Sequence, residues 1–267
     1  MIYRLFSLAR LIVLLCISAS SFAQVDKSRA SAVPAKDFYK RYTLLSADPA
    51  NLEMVPDPAG SGKTVLMARV RNTDEKIGGG IRTEIVPLKE YTREGIRWYA
   101  ISVYFPEDWQ FHPTPAIVSQ VHTSQKRTVL QPPVAFVAYG NNLNLELHFN
   151  HRPIEGADVT TKQNSAAQTI RLDKIKTKQW YCFVMFADWS HSPGSGRFGV
   201  WMNGDKVYES VKSPNAYETW LGNYPKAGLY LPGTMMASEQ SIYLDFIHVG
   251  GPKSSYAEMA ALTPCSK

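Results

Sequence analysis

The stretch NNLNLELHFN, residues 141–150, alternates polar and apolar side chains with a period of two. Successive side chains of a β-strand point to opposite faces, so this period predicts a strand with one polar and one apolar face. The polar face carries Asn142, Asn144, Glu146, His148 and Asn150, and the apolar face carries Leu143, Leu145, Leu147 and Phe149. We expect the apolar face to pack on a core. Any solvent-facing sheet has such a polar face, so the pattern alone indicates a strand and no function.

Short apolar runs separated by turn residues lie on both sides of this strand. They are residues 64–70, 97–105, 116–122, 133–139, 180–189, 197–202 and 241–249. Asn203-Gly204 follows one of these runs, and an Asn-Gly pair favours a hairpin because both positions accept positive φ. Many short strands at close spacing predict an all-β sandwich or barrel of mainly antiparallel strands. Only residues 254–262 have a helical pattern, which predicts a short helix on the outside.

The composition is that of a soluble folded domain. Apolar residues make up 45% of the 267 residues, and 6 Trp, 14 Tyr and 11 Phe can fill a large core. Such a chain is neither intrinsically disordered nor a disulfide-dense scaffold. Without an internal repeat or an interdomain linker, we expect one domain over residues 37–267, preceded by a flexible lead-in at 24–36.

The N-terminus has the parts of a secretory signal peptide. Residues 1–23 combine two arginines without an acid, an apolar core at 11–17, and small residues ending at Ala23. The apolar core is too short for a stable membrane anchor. We therefore expect a secreted or periplasmic protein with no membrane attachment after cleavage. A lipoprotein is the alternative, but Leu15 stands before Cys16 where a small residue is expected.

Removal of the signal peptide changes both the charge and the cysteine count. The formal net charge falls from +6 to +4 because Arg4 and Arg10 leave. This weak and scattered positive charge suits an anionic polymer but disfavours nucleic acid as a partner. Cys182 and Cys265 remain, and an even pair in an oxidising compartment predicts one disulfide. Two unpaired buried thiols are the alternative.

Pairs of polar side chains separated by an even number of residues, and therefore on one face, occur within three apolar strands. These pairs are Arg82 with Glu84, Gln120 with His122, and Lys226 with Tyr230 on either side of Gly228. Each pair has an ordinary explanation, such as a cross-strand ion pair or a satisfied core histidine. The combination of Arg, Gln, His, Lys and Tyr favours a catalytic site.

Three strings in this order resemble the signature segments of jelly-roll polysaccharide lyases. The strings are Arg82-Thr83-Glu84, Gln120-Val121-His122 and Tyr224-Pro225-Lys226-Ala227-Gly228-Leu229-Tyr230. Over roughly residues 40–250 the chain is similar to the heparin lyase I and glucuronan lyase branch, and alginate lyases of the same fold share the strings. The resemblance implies a concanavalin-like jelly-roll β-sandwich of two antiparallel sheets with a concave substrate groove.

The reaction implied by this resemblance is β-elimination at a uronic acid. The proton on C5 is removed, the 4-linked sugar leaves, and an unsaturated uronate remains. Arg82 and Gln120 would stabilise the charge that develops on the substrate carboxylate. Either His122 or Tyr230 would be the base, and Tyr230 the acid to the leaving O4; the sequence leaves the choice of base open. Glu84 would hold Arg82 in place.

Further expectations concern ligands. The substrate contacts are expected to be Glu84, Lys226, Asn144, Glu146 and His148. The spacing of His and Cys residues indicates no metal site, elimination needs no organic cofactor, and the heparin lyase resemblance leaves a structural calcium open. The expected partner is an anionic uronate-containing polysaccharide, bound by a monomer. A net charge of +4 favours an unsulfated glucuronan-like or alginate-like polymer, with heparin or heparan as the alternative. Endolytic cleavage is expected from the open groove that the resemblance implies.

Two other function classes stay open. A glycoside hydrolase on a similar sandwich needs two carboxylates about 5–9 Å apart, whereas Glu146 and Asp245 are isolated in their strands. A lectin-like module would bind the polysaccharide without cleaving it and has no need for His122 and Tyr230 together. Unsaturated products absorb in the near ultraviolet, so absorbance separates a lyase from both alternatives.

Overall fold

The alternating stretch forms a strand in the computed structural model of the protein. The structure describes residues 36–123, 131–150, 165–192, 194–217 and 221–266, which all belong to one compact unit. The strand β8 (Asn142–Asn150) buries its three leucines and leaves the polar residues opposite them half-buried. Asn150 differs from the prediction, because it is buried at the end of the strand, where its backbone N–H donates to the carbonyl of Ala216.

Two antiparallel sheets form the body of the described chain. In spatial order, the seven-stranded sheet contains β1 (Tyr42–Ser46), β4 (Ile81–Pro87), β13 (Asn223–Leu231), β6 (Ala116–Thr123), β7 (Val134–Tyr139), β8 and β9 (Ser165–Lys174). The eight-stranded sheet contains β12 (Asp205–Val211), β11 (Arg197–Met202), β10 (Gln179–Trp189), β5 (Gly95–Phe105), β14 (Glu239–Leu244), β3 (Thr64–Arg71) and β2 (Leu52–Pro56), and β15 (His248–Gly250) also pairs with β5. This architecture confirms the predicted all-β sandwich.

Aromatic and aliphatic side chains from both sheets fill the space between them. Phe136 of β7 stacks on Phe183 of β10 with ring centroids 3.8 Å apart, and both are fully buried. Trp189 donates from Nε1 to the Tyr99 hydroxyl at 2.9 Å, so the polar atoms of this buried pair are satisfied. Each fully buried side chain of this size contributes about 1.5–3 kcal/mol, so this core stabilises the packing of the seven-stranded sheet on the eight-stranded sheet.

The Asn-Gly turn and the terminal helix are confirmed. Asn203 and Gly204 both have positive φ, at 53° and 101°, and join β11 to β12. The helix α1 (Tyr256–Ala261) begins with a capping box from Ser255 and packs on the eight-stranded sheet through Met259. Two 3-10 turns, Phe38–Lys40 and Pro49–Asn51, flank β1.

The two cysteines of the predicted pair form a disulfide. Cys182 lies in β10, and its Cα is 6.1 Å from that of Cys265, which follows the terminal helix. The bond therefore ties the C-terminal segment to the eight-stranded sheet.

The single strand predicted over residues 241–249 is wrong, because the structure divides it into β14 and β15. The Asp245 side chain accepts the backbone N–H of Phe246, which takes that donor from the ladder. The pairing with β5 slips by one residue between Leu244 and His248, as in a β-bulge.

The predicted signal peptide at 1–23 and most of the lead-in at 24–36 lie outside the described residues. Within the described ranges, no helix is both long and apolar enough to span a membrane.

Candidate active site

The three signature strings lie on adjacent strands, and their register pairs the candidate residues. Tyr230 lies opposite Arg82, Gly228 opposite Glu84, Lys226 opposite Gln120, and Tyr224 opposite His122. The alternate residues Ile85, Val121 and Leu229 belong to the core between the sheets. The candidate residues therefore share the outer face of the seven-stranded sheet.

A bulge in β6 adjusts the direction of its side chains. The register with both neighbouring strands shifts near Val118, whose side chain lies in the core. The preceding residue, Ile117, packs on the outer face with Tyr230. The bulge inserts one extra residue, so odd-numbered positions face outward before it and even-numbered positions face outward after it. Gln120 and His122 therefore also point to the outer face.

The carboxylate of Glu84 is the centre of a buried polar cluster. Its Oε2 accepts from Nη1 of Arg82 at 3.0 Å and lies 3.9 Å from Nζ of Lys226. Its Oε1 accepts from Nε2 of Gln120. The side chain of Glu84 is only 2% exposed, and those of Arg82 and Lys226 are 8% and 4% exposed. Two cations share one carboxylate here, so the cluster carries a net positive charge beneath the outer face.

Burial and two neighbouring charges shift the pKa of Lys226. Burial lowers the pKa of the Lys226 ammonium, and the positive charge of Arg82 lowers it further, whereas the negative charge of Glu84 raises it. Glu84 is thus the group that favours the charged form of this lysine.

Gly228 is required by the approach of two backbones. Its φ is 143°, and a Cβ atom there would lie 2.1 Å from the carbonyl oxygen of Thr83 and 2.7 Å from the Cα of Glu84. No side chain fits at this position, which explains why the third string has a glycine opposite Glu84.

Tyr230 is held by Arg82 and by a glycine loop. The guanidinium carbon of Arg82 is 3.8 Å from the centre of the tyrosine ring, which is a close cation–π contact. The Tyr230 hydroxyl donates to the carbonyl of Gly78 at 3.3 Å, and Nη2 of Arg82 donates to the same oxygen at 3.1 Å. A Cβ on Gly80 would lie 2.2 Å from Cε2 of Tyr230, so only glycine lets the loop pass the ring.

His122 lies at the other end of this row of residues. Its Nδ1 is 3.4 Å from the hydroxyl of Tyr224. Burial, followed by the positive charges of Lys226 and Arg82, lowers the pKa of His122 to about 4. The imidazole is therefore neutral at neutral pH and able to accept a proton.

The structure brings the predicted residues together in two different ways. Arg82, Glu84, Gln120 and Lys226 contact one another and are buried, which favours a supporting role from below the surface. His122 and Tyr230 are half-buried on the outer face. Tyr230 contacts Arg82 of the cluster directly. His122 contacts Tyr224, whose ring in turn lies against Lys226 of the cluster. The Oε1 atom of Gln120 is buried with no hydrogen-bond partner among the described residues.

The predicted contacts on β8 lie on the same outer face, two strands from β6. Ala135 of β7 separates Gln120 from Glu146, and Val137 separates Ile117 from Asn144. His148 is fixed by its Nδ1, which lies 3.0 Å from the carbonyl oxygen of Pro132. Because Ala135 has a small side chain, it leaves open space on the outer face between the catalytic candidates and β8.

Two tyrosines near His122 were missed by the sequence reasoning. Tyr224 contacts His122, and its ring centre is 5.0 Å from that of Tyr91, which is 40% exposed. Tyr224 is two residues from Lys226 in the third string, so the period of two could have identified it. Tyr91 lies in the loop after β4 and had no signal, because backbone pairing of Thr92 with Asn223 brings it there.

The described residues include no set of ligands for a metal ion. In the described part of the chain, no group of three or more His, Cys, Asp or Glu side chains is arranged to hold a metal ion.

Comparison with known proteins identifies the class of this enzyme. The family model described as polysaccharide lyase matches residues 22–248, most of the chain. The protein belongs to this polysaccharide lyase family and is a polysaccharide lyase. No curated protein matches the chain.

Solved structures show the same fold at low sequence identity. The chain is similar to an endo-β-1,4-glucuronan lyase from the fungus Trichoderma reesei, with a TM-score of 0.61 and 18% identity over 85% of this chain and 92% of the other. It is similar to an alginate lyase from Pseudomonas aeruginosa, with a TM-score of 0.55 and 15% identity over 79% and 98%. A GH131 β-glucanase from Podospora anserina also matches, with a TM-score of 0.51 and 14% identity over 81% and 86%. The jelly-roll expectation is confirmed.

Proposed function

We propose that the protein is a secreted lyase that cleaves an unsulfated polyuronate of the glucuronan or alginate type within the polymer. The observation that carries this proposal is the outer face on which half-buried His122 and Tyr230 flank a buried, positively charged cluster. A glucuronan lyase and alginate lyases share the fold and support the polymer class. The signal-peptide features of residues 1–23 and the disulfide support export.

Proton abstraction is assigned to His122 when the C5 proton faces it. A neutral imidazole has one N–H, so Nδ1–H must donate to the Tyr224 hydroxyl for Nε2 to be free as a base. The electron pair of the C5–H bond then forms the C4–C5 double bond, and the C4–O4 bond breaks. The Tyr230 hydroxyl gives its proton to the departing O4. For a C5 proton on the opposite side, Tyr230 serves as both base and acid.

The buried cluster stabilises the negative charge that develops on the uronate carboxylate. Arg82 and Lys226 supply positive charge from below, and Glu84 fixes the position of both. Such a fixed field needs no reorganisation during the reaction. Asn144, Glu146 and His148 are proposed to contact neighbouring sugars along β8, because they lie on the same face.

The pH dependence of the reaction tests the assignment of His122. We expect kcat/KM to fall as the pH drops through about 4, because protonation removes the base. Lys226→Met removes a positive charge that lowers the pKa of His122, so the acidic limb of the profile should move to higher pH. The matched control is Lys178→Met, a surface lysine paired with Glu107. A limb that stays in place in Lys226→Met would exclude His122 as its origin.

The substrate is tested by near-ultraviolet absorbance during incubation with glucuronan, polymannuronate, polyguluronate, hyaluronan, chondroitin, heparan and heparin. We expect absorbance to rise with glucuronan or an alginate polymer, and long oligosaccharides to appear first if cleavage is endolytic. A rise only with a sulfated polymer would contradict the proposed substrate class. Binding without any rise would support the lectin-like alternative.

A further inference from the structure

The outer face of the eight-stranded sheet carries an aromatic cleft that the proposed mechanism does not use. Trp98 of β5 lies opposite Phe186 of β10, and Phe186 lies opposite Gly199 of β11. Trp201 occupies the next position of the same face on β11. The cleft has a volume of about 240 Å³, and its charged lining consists of Arg197, Lys206 and Glu209.

The aromatic rings of this cleft are arranged close together and are half-buried. Trp98 is 5.0 Å from Phe186 and 5.9 Å from Trp201 between ring centres. A Cβ on Gly199 would lie 3.2 Å from two carbons of the Trp201 ring, so the missing side chain lets this ring lie over the strand. Stacking against aromatic rings is a common way to bind the apolar face of a planar or puckered ring.

Part of the same face has a structural role that accounts for only some of these residues. The helix α1 covers Ala100 and Val184 through Met259, and its Tyr256 packs on Trp201. Phe186 does not belong to this helix-covered cluster, although it is apolar and half-buried. The helix therefore covers the end of the aromatic row at Trp201, whereas at the other end the Phe186 ring is approached by the side chain of Arg197.

The charged groups of the cleft favour a carboxylate. The guanidinium of Arg197 lies 5.3 Å from the centre of the Phe186 ring and is exposed. No carboxylate in the described ranges forms an ion pair with Arg197, including Asp188, its cross-strand neighbour. Lys206 lies 5.2 Å from the Trp201 ring centre and already pairs with Glu209. Arg197 therefore has donors available beside an aromatic surface.

We propose that this cleft is a second, non-catalytic binding site for a uronate-containing segment of the polysaccharide. A sugar ring stacks on Phe186 and the neighbouring tryptophans, and its carboxylate binds Arg197. The site lies on the sheet opposite the one that carries His122 and Tyr230, so it holds polymer away from the reaction. The proposal rests on the proposed function only for the identity of the polymer.

Affinity electrophoresis in gels that contain glucuronan or alginate tests this site. The Tyr230→Phe variant serves as the background, so that the polymer is not degraded during the run. We expect Phe186→Ala combined with Arg197→Ala to weaken retardation by about tenfold in apparent Kd, the loss of one stacking and one charge contact. The matched control is Phe111→Ala combined with Lys178→Ala, which removes an exposed ring and an exposed cation elsewhere and should change nothing.

A second measurement separates this inference from the proposed function. With Tyr230 intact, the Phe186→Ala and Arg197→Ala double variant should cleave short oligosaccharides at the wild-type rate. Retardation equal to that of the control variant would overturn the second site even if the enzyme cleaves the polymer. If neutral dextran retards the Tyr230→Phe background as strongly as the uronate polymer does, the proposed role of Arg197 would be overturned. Loss of retardation without any cleavage by the wild type would support the site and contradict the proposed function.

Discussion

Replacing Tyr230 with phenylalanine is expected to lower kcat/KM on the cleaved polymer by about 10²–10⁴-fold, the range for loss of a general acid or base. The Tyr230 phenol lies against Arg82 on the outer face and can give a proton to the leaving O4. Phenylalanine keeps the ring that stacks on Arg82, so the site should stay folded. The substitution removes the hydrogen bond to Gly78, worth about 1 kcal/mol. Initial rates of absorbance increase, measured beside thermal unfolding, give both quantities.

The control for this variant is Tyr139→Phe, which removes a hydroxyl from an exposed tyrosine on the same sheet. We expect wild-type rates for this control. A Tyr230→Phe enzyme that retains near-normal turnover would remove Tyr230 from the mechanism and assign proton transfer to His122 among the described residues.

Replacing Glu84 with alanine is expected to destabilise the protein by about 3–5 kcal/mol, the usual cost of removing one partner of a buried ion pair. Arg82 and Lys226 would then remain buried without a shared carboxylate. In a domain of this size the melting temperature should fall by about 10 °C. Activity measured below the melting temperature of the variant should also fall, because Arg82 would no longer be fixed against Tyr230.

The matched control is Glu107→Ala, which breaks the exposed pair with Lys178. Exposed pairs contribute about 0–1 kcal/mol, so its melting temperature should change little. Equal effects of the two substitutions would show that the Glu84 cluster is not the centre of the site. A loss of stability in Glu84→Ala with full activity would limit Glu84 to a structural role.

The faces of the strands were predictable from the sequence, but their neighbours were not. The period of two in residues 141–150 correctly identified the buried leucines of β8. Periodicity is a local property, whereas the pairing of Tyr230 with Arg82 joins residues far apart in the chain. The family resemblance of the three strings supplied the expectation that they meet, and the register shows how.

Burial and bulges account for what the sequence reasoning missed. Lys226 was expected to contact substrate, yet its burial between β4 and β6 depends on neighbours that no local pattern reveals. The break at Asp245 follows from one side chain that competes for a backbone donor. The extra residue at Val118 likewise has no signal in an otherwise apolar run.

The measurement that tests the central claim most directly is cleavage in oxygen-18 water, followed by mass spectrometry of the products. Elimination adds no water across the cut bond, so the account predicts unsaturated products without the heavy isotope. A hydrolase adds one water molecule and would place oxygen-18 at the new reducing end. Saturated, labelled products would contradict β-elimination and favour the chemistry of the β-glucanase that shares this fold.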